Sequence, residues 1–92
     1  MKRVHLIISG KVQGVFYRHS SKQKADALGV NGWVRNRANG TVEAVAEGDA
    51  SAVDAFIAWC HTGPPHASVD GVECTDGEPV ALPSGFTVRP TS

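Results

Sequence analysis

Apolar residues alternate in phase along the start of the chain. Val4, Leu6 and Ile8 fall in one phase and His5, Ile7 and Ser9 in the other, a period of two that predicts a strand. The phase is lost at Gly10, and Gly10 to Phe16 reads as a glycine-bearing loop. Tyr17 to Leu28 reads as a helix with Tyr17, Ser21, Ala25 and Leu28 on one face, and Gly29 is placed to close it in a left-handed cap with Val30 packing back. Gly32 to Arg37 and Thr41 to Glu47 are strands joined through Ala38-Asn39-Gly40. A two-residue Asn39-Gly40 turn would pair Arg37 with Val42 and mix charged and apolar residues on one face. A three-residue loop, with Gly40 in a left-handed bulge, pairs Arg37 with Thr41, Asn36 with Val42, Arg35 with Glu43 and Val34 with Ala44. Val34, Val42, Ala44 and Ala46 then share one face, and Trp33, Arg35, Glu43, Val45 and Glu47 the other, where opposite charges meet across strands. The pattern selects the three-residue loop.

Asp49 is suited to N-cap a second helix, whose Val53, Phe56, Ile57 and Cys60 give the apolar stripe of a helix packed on a sheet; Gly63-Pro64-Pro65 ends it. Val69 to Thr75 is a fourth strand, "DGEPVALPSG" is loop, and Phe86 to Arg89 is a short last strand stopped by Pro90. The order predicts an α+β fold: a ferredoxin-like βαββαβ sandwich, mainly antiparallel, with two helices on one face and a short extra C-terminal strand. In that topology the third strand lies between the first two and runs against both. The first two strands therefore end at the same sheet edge, which carries the loop before Arg18 and also Asn36.

Composition narrows the function classes. The chain has 92 residues, enough for one domain over residues 1–92. Formal net charge is zero and no like-charge run reaches five residues, so a non-specific grip on nucleic acid or on an anionic membrane is not favoured. The apolar run ending at Gly10 is too short for a signal core, no segment is long enough to span a bilayer, and a cytoplasmic location is expected. Cys60 and Cys74 are expected as free, mostly buried thiols. Cys60, His61, His66 and Cys74 do not have metal-ligand spacing. Phe16, Tyr17, Phe56, Trp59 and Phe86 are expected as packing residues, with Tyr17 also a candidate for the pocket rim.

The candidate chemistry lies in "KVQGVFYR". A glycine-bearing turn into a helix aims backbone N–H groups inward, an anion nest reinforced by the helix N-terminus. Arg18 stands at the helix start, with a guanidinium that forks onto phosphate oxygens. No Gly-Lys-Ser/Thr follows, so this is not the Walker loop. Val12 to Arg18 copies the spacing of a Cys-x5-Arg phosphatase loop, but Val12 is no nucleophile. Asn36, on the apolar-patterned face at the same sheet end, can orient a water through its donor and acceptor. His19 is expected to point elsewhere. A nest, an arginine and an asparagine without an obvious base or metal suit an activated phosphoryl donor, in which in-line positioning of water and charge stabilisation supply most of the catalysis.

"GKVQGVFYR" resembles the G-x-V-Q-G-V-x-x-R signature of acylphosphatases, "GWVRNRANGTVEAVAEG" their G-W-V-x-N-x-x-x-G-T-V-E segment, and "GPPHASVDGVE" their G-P-x-x-A-x-V-x-x-V-E element; "FTVR" stands where their last strand does. The likeness runs in order over nearly the whole chain. It implies hydrolysis of carboxyl–phosphate bonds without a cofactor or metal, with a small-molecule acyl phosphate as substrate and inorganic phosphate as product or inhibitor. It also implies that Arg18 binds the phosphoryl group with the backbone amides of Gln13, Gly14, Val15, Phe16, Tyr17 and Arg18. Asn36 positions the attacking water and Thr41 helps to hold Asn36. Pro90-Thr91-Ser92 extend past "FTVR", a departure from members that end near that strand. A monomer suffices for this reading.

Two other readings compete. A non-catalytic phosphate- or carbamoyl-phosphate-binding module would use the same nest. An RNA-binding module would share the topology, but "VHLIIS" and "TVEAVAE" hold no aromatic for base stacking, and Trp33 alone makes a poor platform.

Overall fold

The polar and apolar phases of the chain resolve into seven elements in the computed structural model, which describes all 92 residues. They are β1 (Lys2–Lys11), α1 (Tyr17–Leu28), β2 (Asn31–Asn36), β3 (Val42–Gly48), α2 (Ala50–Cys60), β4 (Ser68–Gly77) and β5 (Phe86–Val88). One sheet runs β4-β1-β3-β2-β5. β3 pairs antiparallel with both β1 and β2, β4 antiparallel with β1, and β5 parallel with β2. This is the expected ferredoxin-like sandwich, with β1 and β2 ending at one edge.

The register is the one that the binary pattern demands. Val34 faces Ala44, Arg35 faces Glu43 and Asn36 faces Val42, and Gly40 has φ +91° in a turn closed by its N–H to the Arg37 carbonyl at 3.1 Å. Because directly paired residues share a sheet face, the row Ile8–Val42–Asn36 crosses three strands on one side. That side carries both helices. Val4, Leu6, Ile8, Val34, Val42 and Ala46 are wholly excluded from water there, and Val53 and Phe56 of α2 close over them. Phe56 packs on Trp59 and on Phe86, with ring centroids 6.2 and 5.4 Å apart. Lys22 ties α1 to the sheet edge by donating to the Phe86 carbonyl at 3.0 Å.

Several local expectations are corrected. β1 and β4 run further than their alternation indicates, because they pair with each other from Arg3–Gly77 to Lys11–Ser68. β3 begins at Val42, since Thr41 still belongs to the turn. Asp49 occupies the N-cap position of α2 but its carboxylate makes no capping bond. Cys60 is buried, which pushes its thiol up to about 12, whereas Cys74 is exposed on the edge strand. No helix is long and apolar enough to cross a membrane.

Glu47 falls on the expected outer face and yet is fully shielded. The segment between β4 and β5 folds over that face, and the Val80 and Leu82 amides donate to the Glu47 carboxylate. The Leu82 amide foremost, then that of Val80 and the nearby Arg3 charge, hold the carboxyl below its ordinary value of 4.5 against the opposing effect of burial. A depressed folded-state value contributes stability that is present above the unfolded value and lost as pH falls through the folded one. The stability advantage of the wild type over Glu47→Gln is therefore expected to be constant above about pH 5 and to vanish at lower pH. Urea denaturation of both proteins between pH 7 and pH 3 measures it, and a pH-independent gap would contradict this account. Beside it, Glu43 accepts from Arg35 Nε at 2.7 Å and contacts His5 Nε2 at 2.6 Å, so the expected cross-strand charges do meet.

The end of β1 turns the chain toward the site. The β1–β4 register shifts between Ser9 and Gly10, leaving Asp70 as the extra residue of a bulge. Gly10 has φ +115°, and a Cβ there would lie 2.3 Å from the Ser68 carbonyl oxygen and 2.7 Å from the Asp70 amide. Both neighbours are backbone, so nothing flexible can yield. Gly10→Ala is expected to cost about 2–3 kcal/mol, read as a fall in Tm of roughly 10 °C or more. An unchanged melting curve would rule out this bulge geometry.

Candidate active site

Residues 12–17 alternate between core and solvent. Val12, Val15 and Tyr17 are buried, while Gly14 and Phe16 are exposed. Each buried side chain pins the loop at a different place. Tyr17, the first residue of α1, donates its hydroxyl to the Cys60 carbonyl at 2.7 Å and packs on Trp59 with centroids 5.4 Å apart. Burial raises its phenol further above an already high value, so it is neutral at any working pH. Tyr17 is thus a core anchor for the helix start, and it also lines the pocket beside Arg18, as expected. Gln13 pins the other flank: its Nε2 donates to the Arg37 carbonyl at 2.8 Å and to the Thr41 carbonyl at 2.9 Å. The loop is therefore bolted to the β2–β3 turn that follows Asn36. Sequence reasoning took only the amide of Gln13 into account; its side-chain role depends on the turn lying close by.

Between these anchors the backbone is turned inside out. Gly14 has φ +75° and Phe16 has φ +64°. Left-handed residues alternating with ordinary ones point successive N–H groups to one side. None of the amides from Gln13 to Arg18 donates to an acceptor within the chain; the bonds around the loop are those of Val12 to Gly10 and of Ser20 to Phe16. Phe16, at the N-cap of α1, supplies no side-chain cap. Six consecutive amides without an internal acceptor thus lead into a helix N-terminus, whose partial charge is positive.

A pocket of about 430 Å³ opens there, lined by Val12, Gly14, Phe16, Tyr17, Arg18, His19, Asn36 and Val88. Arg18 makes no ion pair within the chain, and no carboxylate lines the pocket. The guanidinium is therefore uncompensated. Asn36 lines the same pocket. Its Oδ1 is buried and has no hydrogen-bond partner. A buried acceptor without a partner costs about 1–3 kcal/mol, so such atoms are rare and call for an explanation.

Other expectations shift. Phe16 is not a packing residue: it is 77% exposed, at the pocket mouth. His19 is exposed as expected, but it borders the same pocket rather than pointing away. The Thr41 hydroxyl and amide both bond to Asn39 Oδ1, at 2.7 and 3.1 Å, and no hydrogen bond joins Thr41 to Asn36. Instead the C-terminal segment holds the Asn36 backbone. The Ser92 amide donates to the Asn36 carbonyl at 3.1 Å, and the Ala38 amide donates to the main-chain oxygen of Ser92 at 3.0 Å. Nothing in "PTS" signals this contact; it follows from β5 running parallel to β2, which carries the tail past Asn36.

The fold and this pocket define a ferredoxin-like α+β protein with a pocket that holds Arg18 and Asn36 at the shared end of β1 and β2. Residues 4–88 match the family model described as Acylphosphatase. The chain is similar to an acylphosphatase of Methylococcus capsulatus, 59% identical over 95% of this chain and 91% of that protein. It is also similar to one of Rubrobacter xylanophilus, 54% identical over 96% and 80% of the two chains. The crystal structure of acylphosphatase from Bacillus subtilis superposes with a TM-score of 0.92 at 31% identity, covering 97% of this chain and 99% of that one. The chain belongs to the acylphosphatase family of enzymes.

Proposed function

We propose that the protein hydrolyses the carboxyl–phosphate bond of acyl phosphates, releasing a carboxylate and inorganic phosphate. The observation that carries this reading is the buried, unpartnered Oδ1 of Asn36 in one pocket with an uncompensated Arg18 and free loop amides. In this mechanism Arg18 and the amides of residues 13–18 bind the phosphoryl oxygens. Asn36 Oδ1 accepts a hydrogen bond from a water and directs its lone pair at phosphorus, in line with the acyl oxygen. The water oxygen bonds to phosphorus as the phosphorus–oxygen bond to the acyl group breaks, and that bond's electron pair leaves with the carboxylate. A phosphoryl oxygen takes the proton of the water, so no protein base is needed. A carboxylate is a weak base and departs without a general acid, and charge spread over the phosphoryl oxygens is met by preset donors. No step calls on a cofactor or a metal.

The working form is taken to be a monomer, acting in the cytoplasm on a small molecule, with no nucleic-acid or membrane partner. Phosphate release from acetyl phosphate with excess chelator is the test. Turnover that survives the chelator and is inhibited competitively by inorganic phosphate is expected. Phosphate binding with no hydrolysis at high protein concentration would overturn the enzymatic reading in favour of a binding module.

A further inference from the structure

We propose that Phe16 and Val88 form the acyl side of this pocket and make the protein selective for acyl phosphates whose acyl group is apolar and longer than acetyl. The inference rests on the acyl phosphate reading above. Met1, Phe16, Val80 and Val88 are the large hydrophobic residues left exposed in the chain. Two of the four border the pocket that holds Arg18 and Asn36. Surface apolar side chains scattered singly need no explanation, but two converging on one concave site do.

Phe16 is costly where it stands. A bulky side chain in the left-handed region is unfavourable, and glycine or asparagine would fit φ +64° better. Its ring, 77% exposed, gains little packing within the chain in return. Val88 pairs with Val34 and shares its helix-side face, yet Val34 is wholly buried and Val88 is 43% exposed, because β5 is the sheet edge beside the start of α1. Both residues thus keep apolar surface available at the pocket.

The direction of the reaction fits this placement. An attacking water and a leaving oxygen lie in line through phosphorus. Asn36 Oδ1 is at the buried end and Phe16 at the exposed mouth, so a water held by Asn36 sends the acyl group outward, past Phe16 and Val88. A pocket of about 430 Å³ has room for more than a phosphoryl group and an acetyl methyl. No lysine or arginine other than Arg18 lines it, so a second anionic group on the acyl chain would find only His19 there.

The test compares kcat/KM for acetyl, hexanoyl and glutaryl phosphate, with the inhibition constant of inorganic phosphate as the measure of an intact nest. The wild type is expected to favour hexanoyl over acetyl phosphate by about tenfold and to gain nothing from the length-matched, carboxylate-ended glutaryl group. Phe16→Ser is expected to cut the hexanoyl-to-acetyl ratio about fivefold, and Val88→Thr, an isosteric change at an exposed edge, about threefold. Val88→Thr keeps the readout if the Phe16 variant fails to fold. A wild-type ratio near one, or a ratio that neither variant moves while both acyl phosphates are hydrolysed, overturns the acyl subsite and leaves the hydrolase reading standing. Absence of hydrolysis of every acyl phosphate, with phosphate still bound, overturns both.

Discussion

Arg18→Gln is expected to abolish acetyl phosphate hydrolysis and to weaken inorganic phosphate binding together. Arg18 is the one permanent cation lining the pocket, and no acid there offsets it. A forked guanidinium contributes two charge-assisted bonds to a phosphoryl group, and glutamine restores neither the charge nor the fork. Phosphate affinity should fall by about 10²-fold, roughly 3 kcal/mol. Turnover should fall further, by about 10³-fold or more, because charge on the equatorial oxygens is redistributed most in the transition state. Because Arg18 makes no hydrogen bond or ion pair within the chain, melting temperature should be unchanged. Titration calorimetry with phosphate, beside initial-rate kinetics, measures both effects. A variant that turns over acetyl phosphate at the wild-type rate would remove Arg18 from the mechanism.

Asn36→Ala should separate the two properties that Arg18→Gln loses together. Turnover is expected to drop about 10³-fold, the size associated with misplacing a nucleophile or removing an oriented catalytic hydrogen bond. The inhibition constant of phosphate should stay within about threefold of wild type, since the nest is built from other residues. Stability gives an independent readout. Asn36 Oδ1 is a buried acceptor without a partner, so its removal relieves a desolvation penalty and the variant should melt at the same temperature or higher. A residue kept only to finish the strand would show the reverse: lost stability and intact turnover. That outcome would overturn the water-holding role.

Much of this site was legible along the chain, for identifiable reasons. A period-two pattern leaves little freedom of register when one face is apolar, so the Arg37–Thr41 turn and the pairing of Asn36 with Val42 followed from arithmetic on the pattern. Connection rules then put β3 between β1 and β2 and brought Asn36 to the edge that carries the loop. The motif resemblance pointed to the same residues. What misled was side-chain direction in the loop. Phe16 and Tyr17 are adjacent aromatics and looked alike as packing residues, yet the left-handed backbone at Phe16 turns one outward and leaves the other buried against Trp59. Composition and spacing carry no record of a single backbone angle.

The chain's own pattern of apolar positions, glycines and motifs thus determined the sandwich, its strand order, the candidate nest and the two residues proposed for chemistry, because these depend on periodicity and on connection rules that short segments obey. Contacts between segments distant in the chain were decided only by tertiary structure. Gln13 bolts the loop to the turn after β2, Ser92 brackets the Asn36 backbone, Glu47 captures the segment that covers it, and Val88 joins Phe16 at the pocket mouth. Each depends on where two elements meet in space, and a hydrogen bond between them is set by ångström-scale placement that no local pattern encodes.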